Sequence, residues 1–327
     1  MTAPIAEFHL AQPSTVKEAV AARLRQPDSR YVAGGTDLLV NMRRGIARPN
    51  LLIDLSGIEE LSEIAFDNSG LTIGAGVTLA ALARNAEIAG RYRALAQAAA
   101  AIAAPGHRVM ATVGGNLCLD TRCIYYNQSE WWRHANAYCL KNRGDTCHVA
   151  PQGKRCHAAF SGDLAPALLV YGAEIDIAGA EGERRIPLSD LYVEDGKAHL
   201  ALAPGELVVA VHLPAAPPSS AYEKLRQRGA IDFPLAGVAV ALAASKAKIE
   251  TLRVALTGTN SRPFLLAGTD AFAGRTVDDR LLQDVDRLVQ KQVQPMRTTL
   301  ASANYRRVAA AALARRLVAR LFAEAAA

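Results

Sequence analysis

Cysteine is the residue type whose placement in this sequence most clearly implies chemistry. All five cysteines of the 327-residue chain lie between Cys118 and Cys156, a crowding that points to a shared ligand. Thiolates are soft ligands suited to zinc and to iron-sulfur clusters. Zinc sites usually carry CxxC pairs, and none occurs here. Cys123, Cys139, Cys147 and Cys156 are instead spaced widely enough to put each on its own loop or turn, which suits a four-thiolate cluster such as [4Fe-4S]. Zinc and an unmetallated set remain the alternatives. His107, His134, His148 and His157 lie nearby, and with four thiols at hand they are expected at the surface or behind the ligands.

Two glycine turns carry the second chemical signal. Ala33-Gly34-Gly35-Thr36-Asp37 follows an extended run and precedes the helix-prone Leu38 to Arg43, and Ala111-Thr112-Val113-Gly114-Gly115-Asn116-Leu117 repeats the chemistry later in the chain. Paired glycines let the backbone approach an anion closely, and successive N–H groups in such a turn form a concave anion site. One such turn is as often structural as functional. Two are what the two phosphates of a dinucleotide would need, although neither the GxGxxG nor the P-loop pattern is present.

The elements that must position these residues form an α+β chain. Phe8 to Leu10, Tyr31 to Ala33 and Leu51 to Leu55 read as strands around a helix, Thr15 to Arg25, with Ser14 as its N-cap. Residues 1–56 thus make a small α/β unit. A second unit, residues 57–214, contains helices over Leu79 to Asn85 and Tyr92 to Ala103 and strands over Leu71 to Ile73, Ala173 to Ile177, Glu183 to Pro187 and Glu206 to Leu213. Pro214, Pro217, Pro218, Ser219 and Ser220 mark a linker. Beyond it, residues 221–327 form a third unit of strands closed by helices from Asp278 to Lys291 and Ser302 to Ala325.

Composition narrows the class. Half the residues are apolar and a fifth are charged, so the chain is globular. The N-terminus has no apolar segment of a secretory signal, and no run approaches the roughly 20 residues that span a bilayer. A cytoplasmic protein without membrane association is expected, where structural disulfides are uncommon. The net charge of +6 is dispersed. Its only dense group, Arg306, Arg307, Arg315, Arg316 and Arg320, falls in the last helix and reads as a solvated face or subunit contact rather than a nucleic-acid site.

The motifs AGGTDLL (Ala33 to Leu39), ATVGGNL (Ala111 to Leu117) and GDLAPAL (Gly162 to Leu168), with Tyr222-Glu223-Lys224-Leu225-Arg226, resemble the FAD subunits or domains of the xanthine oxidase and carbon monoxide dehydrogenase family. The resemblance covers essentially the whole chain. It implies a two-subdomain FAD-binding fold of the molybdenum hydroxylase flavoprotein type plus a C-terminal α/β domain. It also implies that the backbone of Val32, Ala33, Gly34, Gly35, Thr36 and Asp37 wraps the FAD pyrophosphate. Ala111, Thr112, Gly115 and Asn116 would then approach the ribityl and phosphate region, with Cys118 facing the flavin and so excluded as a cluster ligand. The family's aspartate maps onto Asp163 and an apolar contact near the isoalloxazine onto Val209. Lys224 would stand at the flavin's polar edge, where its charge would favour reduced, anionic flavin.

The segment of residues 120–160 departs from the family's common pattern. It opens with DTRCIYYNQ (Asp120 to Gln128) and holds the four spaced cysteines, and it resembles most the flavoprotein subunits of the 4-hydroxybenzoyl-CoA reductases. That resemblance implies a [4Fe-4S] cluster, reduced ferredoxin as donor, and separate molybdenum-cofactor and [2Fe-2S] subunits in a dimer of heterotrimers. Tyr125, Tyr126, Trp131, Trp132 and Tyr138 are expected to form the segment's own small core. A self-contained flavoenzyme and a zinc-stapled scaffold are the readings from other functional classes.

Overall fold

The computed structural model describes residues 5–326. The first unit is a three-stranded parallel sheet of β1 (His9–Ala11), β2 (Ser29–Val32) and β3 (Leu51–Asp54), in the order β1-β3-β2. Parallel strands of one sheet need a crossover, and the helix Val16–Arg25 supplies the one that carries the chain from β1 past the position of β3 to β2. Thr15, not Ser14, is its N-cap, accepting from the Glu18 N–H at 3.2 Å. Ser14 instead donates its N–H and hydroxyl to the Glu18 carboxylate, both at 2.9 Å. The pair is a capping box displaced by one residue from the expected start.

The second unit is an antiparallel sheet of β4 (Ile64–Phe66), β5 (Gly70–Gly74), β6 (Glu174–Gly179), β7 (Gly182–Pro187) and β8 (Leu207–Pro214), ordered β4-β5-β8-β6-β7. Ile73, Ile175, Ile177 and Val211 share one buried core with the helices Leu79–Arg84, Arg93–Ala101 and Leu164–Leu169. Only residues 215–218 separate β8 from the next strand.

The third unit is an antiparallel sheet of β9 (Ser219–Leu225), β10 (Ala236–Ser245), β11 (Lys248–Thr257) and β12 (Phe264–Leu265), ordered β12-β11-β10-β9. Its strands alternate with period two. Val238, Val240, Leu242, Val254 and Leu256 bury against the helices Asp279–Gln292 and Ala303–Ala326, whereas Ala239, Ala241 and Ala255 belong to the core of the second unit. Small side chains on that face let helices of one unit lie close to the sheet of the other. Leu281, Val285 and Val289, four residues apart along one helix face, are all buried, each contributing about 1.5–3 kcal/mol. Among the described residues no helix is long and apolar enough to cross a membrane.

Between the helices Val113–Leu117 and Leu164–Leu169 the chain loops out through the cysteine segment. Its base is closed where Arg122 and Ala159 exchange backbone hydrogen bonds of 2.7 and 2.8 Å. The expected aromatic core is only partly formed, since Trp131 is 77% exposed. Tyr125 packs near Trp132 and His148, with ring centroids 6.3 and 5.3 Å apart. Tyr126 and Tyr138 stack against cations instead, Lys141 at 4.5 Å and Arg143 at 4.4 Å. So short a segment lacks the aliphatic residues to bury five aromatics, and cation–π contacts take their place.

A glycine-walled cleft and a cysteine cavity

The first glycine turn sits at the C-terminal end of β2, where parallel sheets place their ligands. The N–H groups of Gly34, Gly35, Thr36 and Asp37 find no hydrogen-bond partner among the described residues and are free to face an anion. Gly35 has φ +67°, a left-handed conformation that only glycine adopts cheaply. Gly34 has a different task, because a Cβ there would fall on the Met110 carbonyl. Gly34 is where the two glycine segments touch.

The second segment is a short helix, Val113–Leu117, rather than an open loop. Its N–H groups are spent inside the protein. Val113 donates to Val77 O at 2.9 Å, Gly114 to Ala75 O at 2.8 Å, and Gly115 to the Thr112 hydroxyl at 3.1 Å. The convergence of backbone donors from both glycine segments is therefore replaced by an asymmetric arrangement. One turn offers N–H groups and the other offers a packed wall. Gly114 is needed for that packing, since a Cβ would stand 2.8 Å from the Ala75 methyl. The Asn116 side chain accepts from Leu164 N–H at 3.0 Å and so fixes the GDLAPAL segment against the helix.

These segments line one cleft of about 1670 Å3, larger than the roughly 300–1,000 Å3 of most small-ligand sites and suited to an extended dinucleotide. Of the residues expected to touch FAD, Val32 to Asp37, Ala111, Thr112, Gly115, Asn116, Cys118 and Asp163 all lie on its wall. Arg23, Arg30, Arg44 and Arg48 also line the cleft, cations that a phosphate-bearing ligand could meet. Burial pushes the Cys118 thiol up to about 12, leaving it neutral.

Val209 and Lys224 do not reach the wall. Leu207 and Val208 line the cleft and Val209 does not, because the β6–β8 register shifts at this point and leaves Val209 at the irregularity. Lys224 lies behind Asp163, its ammonium 3.2 Å from the carboxylate and 3.2 Å from Asp232 O. Tyr222 donates to the same carboxylate at 2.5 Å. Burial raises Asp163 and lowers Lys224, and their mutual attraction opposes both shifts. Asp163 is therefore the group presented to the cleft, and Lys224 acts through it.

The four spaced cysteines surround a second, narrow cavity. Cys123, Cys139, Cys147 and Cys156 all line it, with Tyr125, Tyr126, Lys141 and His148, whereas Cys118 lies in the larger cleft. Three of the four open a tight turn in the same way. The carbonyls of Cys123, Cys139 and Cys147 accept from the N–H three residues on, Tyr126 at 3.1 Å, Asn142 at 2.7 Å and Ala150 at 3.0 Å. At the fourth, Ala158 N–H donates to the Cys156 sulfur at 3.4 Å. Around Cys139, non-glycine residues Ala137, Tyr138 and Arg143 take left-handed backbone with φ of 55°, 58° and 63°, strain that concentrates at functional sites. Burial pushes the Cys123 thiol up to about 11 and Cys156 to about 12. Among the described residues no three His, Cys, Asp or Glu side chains converge on a point where they could hold one metal ion.

Cys123, Tyr126 and Lys141 line both the cleft and the cysteine cavity, so one layer of side chains separates them. Lys141 is anchored there by Asp120 at 2.6 Å and by Thr121. His199, held neutral by burial with its acidity at about 4, bonds Leu119 O at 2.9 Å on the cleft side. Neither residue was expected as part of the site, and nothing in the local sequence marks them. Arg306 differs. It is buried against the carbonyls of Leu235, Met296 and Gly258 and reaches the cleft wall, so it does not belong to a solvated basic face. Its position seven residues before Leu313, on the apolar side of the last helix, is the signal that would have placed it.

Comparison with known proteins agrees with this geometry. Residues 6–216 match the FAD binding domain in molybdopterin dehydrogenase, and residues 220–321 match the CO dehydrogenase flavoprotein C-terminal domain. The chain is an FAD-binding medium subunit of the xanthine oxidase and carbon monoxide dehydrogenase family. It is 34% identical over 276 residues to the aldehyde oxidoreductase FAD-binding subunit PaoB of Escherichia coli (strain K12), covering 81% of this chain and 85% of that protein. The carbon monoxide dehydrogenase medium chain of Afipia carboxidovorans is 28% identical over 318 residues, 96% of each chain. The crystal structure of a cyanide-inactivated Cu,Mo-CO dehydrogenase superposes with a TM-score of 0.82 at 26% identity, covering 98% of this medium subunit and 99% of that chain. FAD fits the medium subunit's cleft in size, in the free N–H groups of Gly34 to Asp37, and in the arginines among its lining residues.

Proposed function

We propose that this medium subunit carries electrons between FAD in the cleft and a [4Fe-4S] cluster on Cys123, Cys139, Cys147 and Cys156, as part of a molybdenum enzyme complex. The shared wall supports this reading most strongly: four thiols line a cavity that Cys123 joins directly to the flavin cleft. The donor set fits such a cluster. Each thiolate of a [4Fe-4S] centre binds its own iron, so the sulfurs surround a volume, whereas tetrahedral zinc needs four sulfurs about 2.3 Å from one point. Bound FAD would supply a centre that exchanges one or two electrons. The chain's own part is to hold the pyrophosphate on the Gly34 to Asp37 N–H groups, to present Asp163 on the wall, and to keep the thiols beside the cleft. Molybdenum-cofactor and [2Fe-2S] subunits would be its partners, in a dimer of heterotrimers.

Iron and acid-labile sulfide analysis with low-temperature EPR of the reduced protein tests the assignment. Serine at any one of the four positions should lose or convert the cluster, and Cys118→Ser should keep it. Zinc in place of iron, or a cluster lost in Cys118→Ser but retained in Cys147→Ser, would contradict it.

Two substrate classes follow from different observations. The DTRCIYYNQ segment supports reductive dehydroxylation of an aromatic CoA thioester, with ferredoxin as donor. The 34% identity to an aldehyde oxidoreductase subunit supports aldehyde oxidation instead. Assaying the purified complex with 4-hydroxybenzoyl-CoA and reduced ferredoxin, and with aromatic aldehydes and an artificial acceptor, decides between them.

A further inference from the structure

We infer that Arg122 couples the two cofactor sites, so that metal on the cysteines and FAD in the cleft strengthen each other's binding. The inference rests on the cluster reading above. Arg122 immediately precedes Cys123 and is held at the closed base of the cysteine segment by its backbone pairing with Ala159. Its guanidinium reaches out of that segment to form an ion pair with Asp37, the last residue of the anion-facing turn. It also reaches Asn41 at 3.4 Å and lies 4.7 Å over the Phe233 ring, in the third unit.

Asp37 is the N-cap residue of the helix Leu38–Arg43 but makes no capping hydrogen bond with its side chain. Its carboxylate is instead committed to Arg122 and to Asn41 Nδ2 at 3.2 Å. The position of the turn therefore depends on where Arg122 stands. Arg122 in turn depends on Cys123, whose N–H bonds the Asn127 side chain at 2.9 Å and whose carbonyl closes the adjoining turn. A ligand that fixes the Cys123 sulfur fixes this turn, holds the guanidinium on Asp37 and preorganises the Gly34 to Asp37 N–H groups for phosphate. Without that ligand the same groups must be ordered when FAD binds, which weakens its binding. Linkage makes the effect reciprocal.

FAD affinity is measured on the whole chain by quenching of flavin fluorescence, for iron-sulfide-reconstituted protein, metal-free protein and Cys147→Ser, with iron content determined before each titration. The expected result is FAD held about 5- to 150-fold more weakly in the metal-free protein and in Cys147→Ser. In Arg122→Gln the affinity should be low with or without metal, and Arg122→Lys, which keeps charge but loses the planar fork, should fall between. Equal affinity in loaded and metal-free wild type overturns the coupling. So does a metal-dependent difference that persists undiminished in Arg122→Gln, the pattern expected if Arg122 only touches FAD directly. Failure to take up iron at all overturns the cluster reading and the coupling with it, and the prior iron analysis separates that outcome from the others.

Discussion

At the residue scale, adjacent glycines in one motif have separate duties, and substitutions should tell them apart. Gly34→Ala puts a methyl on the Met110 carbonyl, with backbone on both sides and no rotamer to relieve it. A loss of more than about 4 kcal/mol is expected, with little soluble flavoprotein. Gly35→Ala meets the Leu39 side chain, which can turn aside, and adds the left-handed penalty of about 1–2 kcal/mol. That protein should fold and bind FAD more weakly. Thermal denaturation with flavin absorbance measures both, and equal losses would remove the distinction. The sequence showed where these glycines were but not what each did, because a GG pair reads the same whether it admits an anion or another stretch of backbone.

At the element scale, the cysteine segment is held by polar staples rather than by a core. Arg133 is buried, donating to Gln128 O at 2.5 Å, Gly45 O at 3.1 Å and Glu130 at 2.6 Å. Burial works against the Glu130 charge, but hydrogen bonds from Arg133, Tyr138 and Arg143 outweigh it and hold the carboxyl down at about 2. A depressed carboxylate stabilises the fold above its ordinary value of 4.5, and that contribution is lost as pH falls toward 2. Amide exchange within residues 123–158 should therefore accelerate between pH 4.5 and 2 in the wild type, beyond the intrinsic pH dependence. Glu130→Gln should exchange faster at neutral pH and show no such excess. Regular elements such as the helix Asp279–Gln292 were legible because their apolar periodicity is strong. The helix Val113–Leu117 was not, since two glycines mask its helical propensity and only the Thr112 cap reveals it.

At the scale of the whole molecule, the third unit meets the second through alanines and through one buried ionic contact. The side chains of Asp163 and Lys224 are 4% and 2% exposed, each contributed by a different unit. Breaking such a pair leaves one buried charge without its partner. Lys224→Met is expected to cost about 3–5 kcal/mol in FAD-free protein, and Asp163→Asn combined with Lys224→Met should recover part of it. Chemical denaturation provides the measurement, and a single-mutant loss below about 1 kcal/mol would show that the pair does not join the halves. Most strands of the three sheets follow alternating patterns that are visible in the sequence. The placement of Lys224 behind Asp163 is not, because it depends on the packing of elements far apart in sequence.

The base of the cysteine segment also bears on how the parent fold carries so long an excursion. Arg122 and Ala159 stand as neighbours on paired backbone, so the flanking chain meets the segment as it would meet a short hairpin. The entropy of closing a flexible loop grows only logarithmically, about 0.6 kcal/mol for each doubling of length. A chain excursion of this size is therefore tolerated by its host with little loss, and its own order is what remains to be secured. Four thiols at four separate points of the segment, tied through one inorganic core, would act as a many-way crosslink and remove most of that residual freedom at a single point.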